Sequence, residues 1–334
     1  MKTFSYEGEP MQIDFLNVGY GEAIVIRDGS FCMVVDGGSN KEHIYQPLSS
    51  IMLFDFLKES GVRKIDRLVL THIHDDHVGG LLRVLEEIPV DEIWVNILAD
   101  HPSPGILEEK QKILEGSSAE RLYFEAILLY FQLLETAGKK GVPIRRITQE
   151  DGPQNFNGLS ITPLGMDREE ADRVTREFNA MIRETDGTEF LKQYLRLDRN
   201  CNATSLALHL RKEEKGALLT GDKVEGWDEL AEQLDLRANV LKLTHHGQAD
   251  GMPESMLQAA DPDIFVICAD KNRTYNSAAP EILERIRAFL DRKGKPNQVF
   301  ITGDMEKRDG GSAGAPGSVL TIDFDADPLQ PIIH

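Results

Sequence analysis

Short apolar runs, separated by polar turns and by longer amphipathic stretches, set the rhythm of this chain. Met11–Phe15, Ala23–Ile26 and Ser30–Val35 read as strands, the third ending at Asp36-Gly37-Gly38. Ile51–Glu59 then reads as a helix, Arg67–Leu70 as a strand, Leu81–Ile88 as a helix and Glu92–Val95 as a strand. Strand patterns return at Ile144–Thr148 and Leu159–Leu164, and Ser205–Leu210 and Ala217–Thr220 form a hairpin-like pair. Val240–Leu243, Ile264–Cys268, a helix over Pro280–Arg292, Gln298–Thr302 and Ser318–Phe324 complete the series. Strands alternating with helices predict an α/β fold.

Two segments interrupt the rhythm and predict helical insertions at about 98–141 and 166–199 in a single domain spanning 1–334. In the first, Ser117 and Glu120 fit a capping box, and the following helix ends near Gly138 and Gly141. Between Leu122 and Leu134 only Glu125 and Gln132 are polar or charged, apart from one tyrosine hydroxyl per ring. A helix with so little polar face is buried or forms an interface, so the pattern predicts packing, or a homo-oligomer through 122–134. The second insertion is a charged helical stretch over Arg168–Leu195. Gly310–Gly317 reads as a linker.

Composition narrows the possibilities. Hydrophobic residues make up 41% of 334, enough for a large core. The formal charge is −19, a surface that does not attract polyanions over its whole area. Cys32, Cys201 and Cys268 are odd in number and widely spaced, which fits a reducing compartment better than a disulfide framework. Met1–Pro10 has no apolar signal region, and no run approaches the ~18 apolar residues of a membrane span. The expectation is a soluble cytoplasmic protein with no membrane partner.

Chemistry concentrates in His72-Ile73-His74-Asp75-Asp76-His77, placed between an apolar run and Gly79-Gly80. Borderline divalent ions take imidazole nitrogen and carboxylate oxygen, and ligands packed this tightly suit two adjacent ions. A strand ending at Leu70 delivers the motif onto a loop, and the glycines turn the chain into the next helix. Five of the nine histidines lie in this cluster and in His245-His246. Of that second pair, one is read as a ligand and the other as a group that faces substrate or supports the ligands from behind. Asp222, at the end of an apolar run, supplies the anionic bridge that holds two cations together. Lys271 and Arg273 follow a predicted strand, where a loop overhanging the site could hold phosphate.

These motifs resemble those of the metallo-β-lactamase superfamily. More narrowly, the chain resembles the C-terminal domain of the ComEC-type DNA-uptake competence proteins and their free-standing relatives. The resemblance is carried by Phe15-Leu16-Asn17-Val18-Gly19-Tyr20-Gly21-Glu22, Val35-Asp36-Gly37-Gly38, the metal motif, Asn202-Ala203-Thr204-Ser205-Leu206, Leu218-Leu219-Thr220-Gly221-Asp222 and Leu243-Thr244-His245-His246-Gly247. It implies a four-layered αββα sandwich with two divalent ions, Zn or Mn, at one edge. By the same resemblance His72 and His74 bind the first ion. Asp76, His77 and His245 bind the second, Asp222 bridges, Asp36 steadies the metal loop, and a hydroxide shared by the ions attacks. Asp76, Asp222 and His246 are thereby the catalytic candidates. The family's further histidine at the first ion is missing from Asp198-Arg199-Asn200-Cys201-Asn202, which leaves that site ligand-poor. A histidine of the family's N-x-Y-x-H-P stretch is replaced in Ala278-Ala279-Pro280.

The resulting expectation is a metal-dependent hydrolase, a phosphodiesterase acting on a small nucleotide or a short single-stranded nucleic acid. The rivals are hydrolysis of a lactone, thioester or β-lactam, and a non-catalytic metal-binding module.

Overall fold

A computed structural model describes residues 10–41, 50–103, 105–117, 120–306 and 318–334. The predicted linker at Gly310–Gly317 lies outside the described residues. The first half of the chain lays down β1 (Gln12–Leu16), β2 (Ile24–Asp28), β3 (Phe31–Val35), α1 (Leu53–Glu59), β4 (Ile65–Leu70), the single turn α2 (Asp75–Val78), α3 (Leu81–Glu87), β5 (Val90–Val95), α4 (Ile106–Glu115), α5 (Leu122–Lys140) and β6 (Ile144–Arg146). The second half adds β7 (Gln154–Phe156), β8 (Leu159–Leu164), α6 (Arg168–Arg183), α7 (Gly187–Asn200), β9 (Ala207–Lys212), β10 (Lys215–Leu219), α8 (Trp227–Gln233), β11 (Val240–Lys242), α9 (Glu254–Ala260), β12 (Ile264–Ile267), α10 (Pro280–Lys293), β13 (Val299–Ile301), β14 (Val319–Asp323) and β15 (Gln330–Ile333).

The strands form two sheets, ordered β15-β14-β1-β2-β3-β4-β5-β6 and β13-β12-β11-β10-β9-β8-β7. Their residues alternate between two apolar clusters, as the strand period of two requires. Ile24 and Ile26 join Leu208, Leu210, Ala217, Leu219 and Val266 in a cluster made by both sheets. Val25, Val34, Leu68 and Leu70 point the other way, into a cluster shared with α1, α3, α5, α6 and α7. Leu218, Leu241, Phe265 and Ile267 likewise turn outward onto α8, α9 and α10. Three apolar seams between four layers are the αββα sandwich that the motifs implied.

Local chemistry accounts for the helix ends. Asp186 caps α7 by accepting from the Thr188 and Glu189 N–H groups, and Asp167 caps α6 by accepting from Glu170 N–H. The stretch expected as one helix over Arg168–Leu195 is thus two, broken at residues 184–186 where Asp186 starts a new cap. Ser117 and Glu120 do not cap α5. That helix begins after Arg121 without a side-chain cap, and the Ser117 hydroxyl donates back to Leu114 O. The apolar girth of α5 is consumed inside the molecule: Tyr123, Phe124, Ile127, Tyr130, Phe131, Leu133 and Leu134 are buried with Phe178, Phe190 and Tyr194 of α6 and α7. The helix therefore gives no reason to expect the predicted homo-oligomer. No helix among the described residues is long and apolar enough to cross a membrane.

Candidate metal centre

The ligand-bearing loops leave the ends of strands on both sheets. β3 delivers Asp36, β4 delivers the His72–His77 motif, β10 delivers Asp222, and β11 delivers His245 and His246. Two glycine pairs lock the first two loops together. A Cβ on Gly79 would sit 2.7 Å from Gly38 O, and one on Gly37 would sit 2.6 Å from Leu81 N, so neither position has room for a side chain. Gly37 N–H donates to His77 O, and Glu22 N–H donates to Asp76 O, which ties the motif to the turn before β2.

Asp76, His77, Asp222 and His246 each offer one ligand atom, and these atoms all lie within 4.8 Å of one another. His246 Nε2 is 3.1 Å from Asp76 Oδ2 and 3.3 Å from Asp222 Oδ2; His77 Nε2 is 3.6 Å and 3.3 Å from the same two oxygens. The far side of each ring is fixed. His77 Nδ1–H donates to Asp36 Oδ2 at 2.7 Å, and His246 Nδ1–H donates to the Cys268 carbonyl at 2.8 Å. Asp36 is itself held by Thr71, whose N–H and hydroxyl both donate to its carboxylate. Outer partners of this kind settle which ring nitrogen faces a metal.

The electrostatics describe a place for a cation. Asp76 Oδ2, His77 Nε2, Asp222 Oδ1 and His246 Nε2 are buried and have no hydrogen-bond partner. Burial opposes charge on the rings, but Asp222 and Asp76 outweigh it, holding His77 well above its ordinary value and His246 up at about 9. Burial also opposes charge on Asp222, yet His246 and His77 hold it well below the carboxylate range. Protons on the two rings supply the positive charge that the carboxylates demand, and a divalent ion would supply it in their place. The donor set, two imidazole nitrogens and two carboxylates, fits such an ion.

His72 and His74 form an adjoining pair. His72 Nε2 lies 3.1 Å from His74 Nδ1 and 3.9 Å from Asp222 Oδ2, so Asp222 Oδ2 faces both groups of histidines. His72 Nδ1 is met by the Thr71 and Ser205 hydroxyls, and His74 Nε2 lies 3.6 Å from Asp198. Burial and its two neighbouring histidines push His72 well below its ordinary value.

The structure exchanges the expected places of His245 and His246. Both residues have left-handed backbone, φ 47° and 52°, which turns the second ring into the cluster. His245 is fully engaged elsewhere: its Nδ1 meets Asp250, and its Nε2 accepts from the Asn202 and Gln248 amides at 2.9 and 3.0 Å. Lys271 and Arg273 are also displaced from the expected role. Lys271 is exposed, and the Arg273 guanidinium is paired with Asp304. The carboxylates lining the cleft over the cluster are Asp75, Asp76, Glu120, Asp198 and Asp222, and among the described residues no lysine or arginine lines it.

Sequence reasoning missed Lys242. It is fully buried at the end of β11, ion-paired with the equally buried Glu22, 2.9 Å from Gly221 O and 3.7 Å from Asp222 Oδ1. Its charge is favoured by Glu22 and Asp222 against the opposing effect of burial. A charged residue inside the apolar run Val240–Leu243 was the available signal.

Fold and site together define a metal-dependent hydrolase. Residues 16–165 match the Metallo-beta-lactamase superfamily. It is 23% identical over 308 residues to ComE operon protein 3 of Bacillus subtilis (strain 168), a match covering 88% of this chain and 32% of that protein. The chain thus spans about a third of the length of the curated relative it matches. Among solved structures, it is similar to Igni18, a metallo hydrolase from Ignicoccus hospitalis KIN4/I (TM-score 0.49, 16% identity, 94% of this chain and 99% of that one). It is also similar to the metallo-beta-lactamase fold protein YhfI from Bacillus subtilis (TM-score 0.42, 13% identity, 88% and 97%).

Proposed function

We propose that this chain is a phosphodiesterase that works with two divalent ions, Zn or Mn, on a small nucleotide or a short single-stranded nucleic acid. The observation that carries the reading is the position of Asp222 Oδ2, which faces His77 and His246 on one side and His72 on the other. One anionic oxygen between two sets of imidazoles suits a pair of cations, and such a pair suits in-line displacement at phosphorus. When bound, the ions supply Lewis acidity and lower the pKa of water. In this reading Asp76, His77, Asp222 and His246 hold one ion, and His72 and His74 hold the other with Asp222 shared. Asp36 and the Cys268 carbonyl orient the rings of His77 and His246, and Lys242 holds the outer oxygen of Asp222. The ligand-poor pair His72/His74 makes the first site the weaker of the two. The motif resemblance to DNA-uptake proteins supports a nucleic-acid substrate, and the acidic cleft supports a short one. Three buried free thiols are in keeping with a reducing compartment such as the cytoplasm.

The test is elemental analysis of gently purified protein, followed by a substrate panel with the metal found. Turnover of a generic aryl phosphodiester, with a chromogenic β-lactam and a lactone left intact, is the expected result. Cleavage of the carbonyl substrates faster by orders of magnitude would overturn the reading.

A further inference from the structure

Two tyrosines form the wall of the cleft beside His246. The Tyr20 ring lies 5.3 Å from the His246 ring and 5.1 Å from the Tyr275 ring, centroid to centroid. Tyr20 is packed between the two, whereas Tyr275 is 58% exposed, the most open large hydrophobic side chain among the described residues. Both rings line the cleft, and on its far side Tyr123 stands edge-on to His74 at 5.7 Å.

The loop that presents Tyr275 is held in an unfavourable shape. Arg273, Tyr275, Asn276 and Ala278 all have left-handed backbone, φ 57°, 54°, 59° and 48°, and of these only asparagine adopts it readily. Specific bonds maintain it. The Asp270 carboxylate accepts from Thr274 N–H and from the Thr274 hydroxyl, and Arg273 is paired with Asp304. Ala278 N–H donates to His246 O, and Ala279 N–H to Gly247 O, both at 2.8 Å. The loop is therefore tied to the backbone of a residue in the metal cluster, which fixes the exposed ring relative to the reacting centre.

Charge decides what such a ring is for. Among the described residues the cleft lining carries five carboxylates and no lysine or arginine, so substrate charge not met by the ions meets repulsion there. Affinity for the remainder of the substrate must come from an uncharged surface, and a flat exposed ring offers one to a planar partner. We propose that Tyr275, backed by Tyr20, is the platform on which a nucleobase of the substrate stacks while the adjoining phosphodiester lies at the Asp76/His77/Asp222/His246 cluster. This rests on the phosphodiester reading and deepens it. A base can stack there only when it is free of a duplex, so the platform selects unpaired nucleotides.

The experiment compares the thymidine dinucleotide with a dinucleotide of the same backbone whose bases are both absent, cleavage being followed by chromatography. Stacking on this scale is worth about ten- to a hundredfold, so KM for the base-bearing substrate is lower by that factor. Tyr275→Ala closes the gap and Tyr275→Phe keeps it, with metal content by elemental analysis the same in all three proteins. An equal KM for the two substrates in the native protein, or a gap that survives Tyr275→Ala, overturns the platform. If neither dinucleotide is cleaved, the phosphodiester reading falls. The platform is then judged by calorimetric binding of thymidine monophosphate against methyl phosphate. Tighter binding of the nucleotide that is lost in Tyr275→Ala upholds it, and equal binding overturns it.

Discussion

Lys242→Met removes one half of a fully buried ion pair and leaves its other half in place. Glu22 then keeps a carboxylate with no exposure to water, Asp222 loses the cation 3.7 Å from its Oδ1, and Gly221 O loses a donor. Breaking a buried pair by deleting one partner costs about 3–5 kcal/mol, because the remaining charge has neither solvent nor partner. With an unfolding entropy of about 2.1 cal/mol/K per residue over 334 residues, each kcal/mol is worth roughly 1.4 °C, so the melting temperature should drop by roughly 4–7 °C. A general loss of packing could imitate that result, since methionine is not lysine in shape. The double variant Glu22→Gln/Lys242→Met separates the two explanations: removing the stranded charge should restore more than half of the loss. Urea unfolding of metal-free wild type, both single variants and the double variant measures the coupling directly. A single-variant loss under ~1 kcal/mol, or a double variant no more stable than Lys242→Met, would refute the reasoning.

The paired substitutions His246→Ala and His245→Ala should part company: the first abolishes most metal binding in a calorimetric titration, while the second keeps the tighter ion, and equal losses would contradict the placement of the two rings. His209 governs an acid-side response. Burial holds its folded-state value below that of the unfolded chain, although its ring N–H donates to Arg237 O. The unfolded chain therefore binds the extra proton first, and stability present above about pH 6.5 is lost as pH falls through that value towards the folded one. The difference in unfolding free energy between wild type and His209→Gln should shift across pH 7.5 to 5 with a slope of at most about 1.4 kcal/mol per pH unit, and a pH-independent difference would sink the assignment.

The metal motif was legible because its ligands are contiguous and follow a strand, so a short window holds both the chemistry and its placement. The two-sided strands were equally plain, since each core face repeats every second residue. Choosing between His245 and His246 was beyond any pattern of that kind. Adjacent residues on regular backbone point to opposite sides, but left-handed backbone at both positions breaks that rule and sends the second ring inward. Arg273 misled for another reason: a cation near a site is free to bind phosphate only if no carboxylate has claimed it, and Asp304 lies 31 residues further on. Lys242 was concealed by its partner, because Glu22 comes from the turn between β1 and β2, 220 positions earlier in the chain. The near-uniform apolarity of α5 left burial and interface indistinguishable until Phe178, Phe190 and Tyr194 were seen to cover it.

Because the cluster draws Asp76 and His77 from one sheet and Asp222 and His246 from the other, it has a definite moment of birth. A growing polypeptide that has passed β4 soon carries the whole His72–His77 motif, yet the four-ligand set stays incomplete until Asp222 and then His246 have emerged. The strand β14, which closes over β1 from more than 300 residues away, comes later still. Contacts this distant in sequence form late in folding. A nascent chain therefore cannot assemble the four-residue cluster until most of its length has been made, and the cluster arrives with the closing of the sandwich.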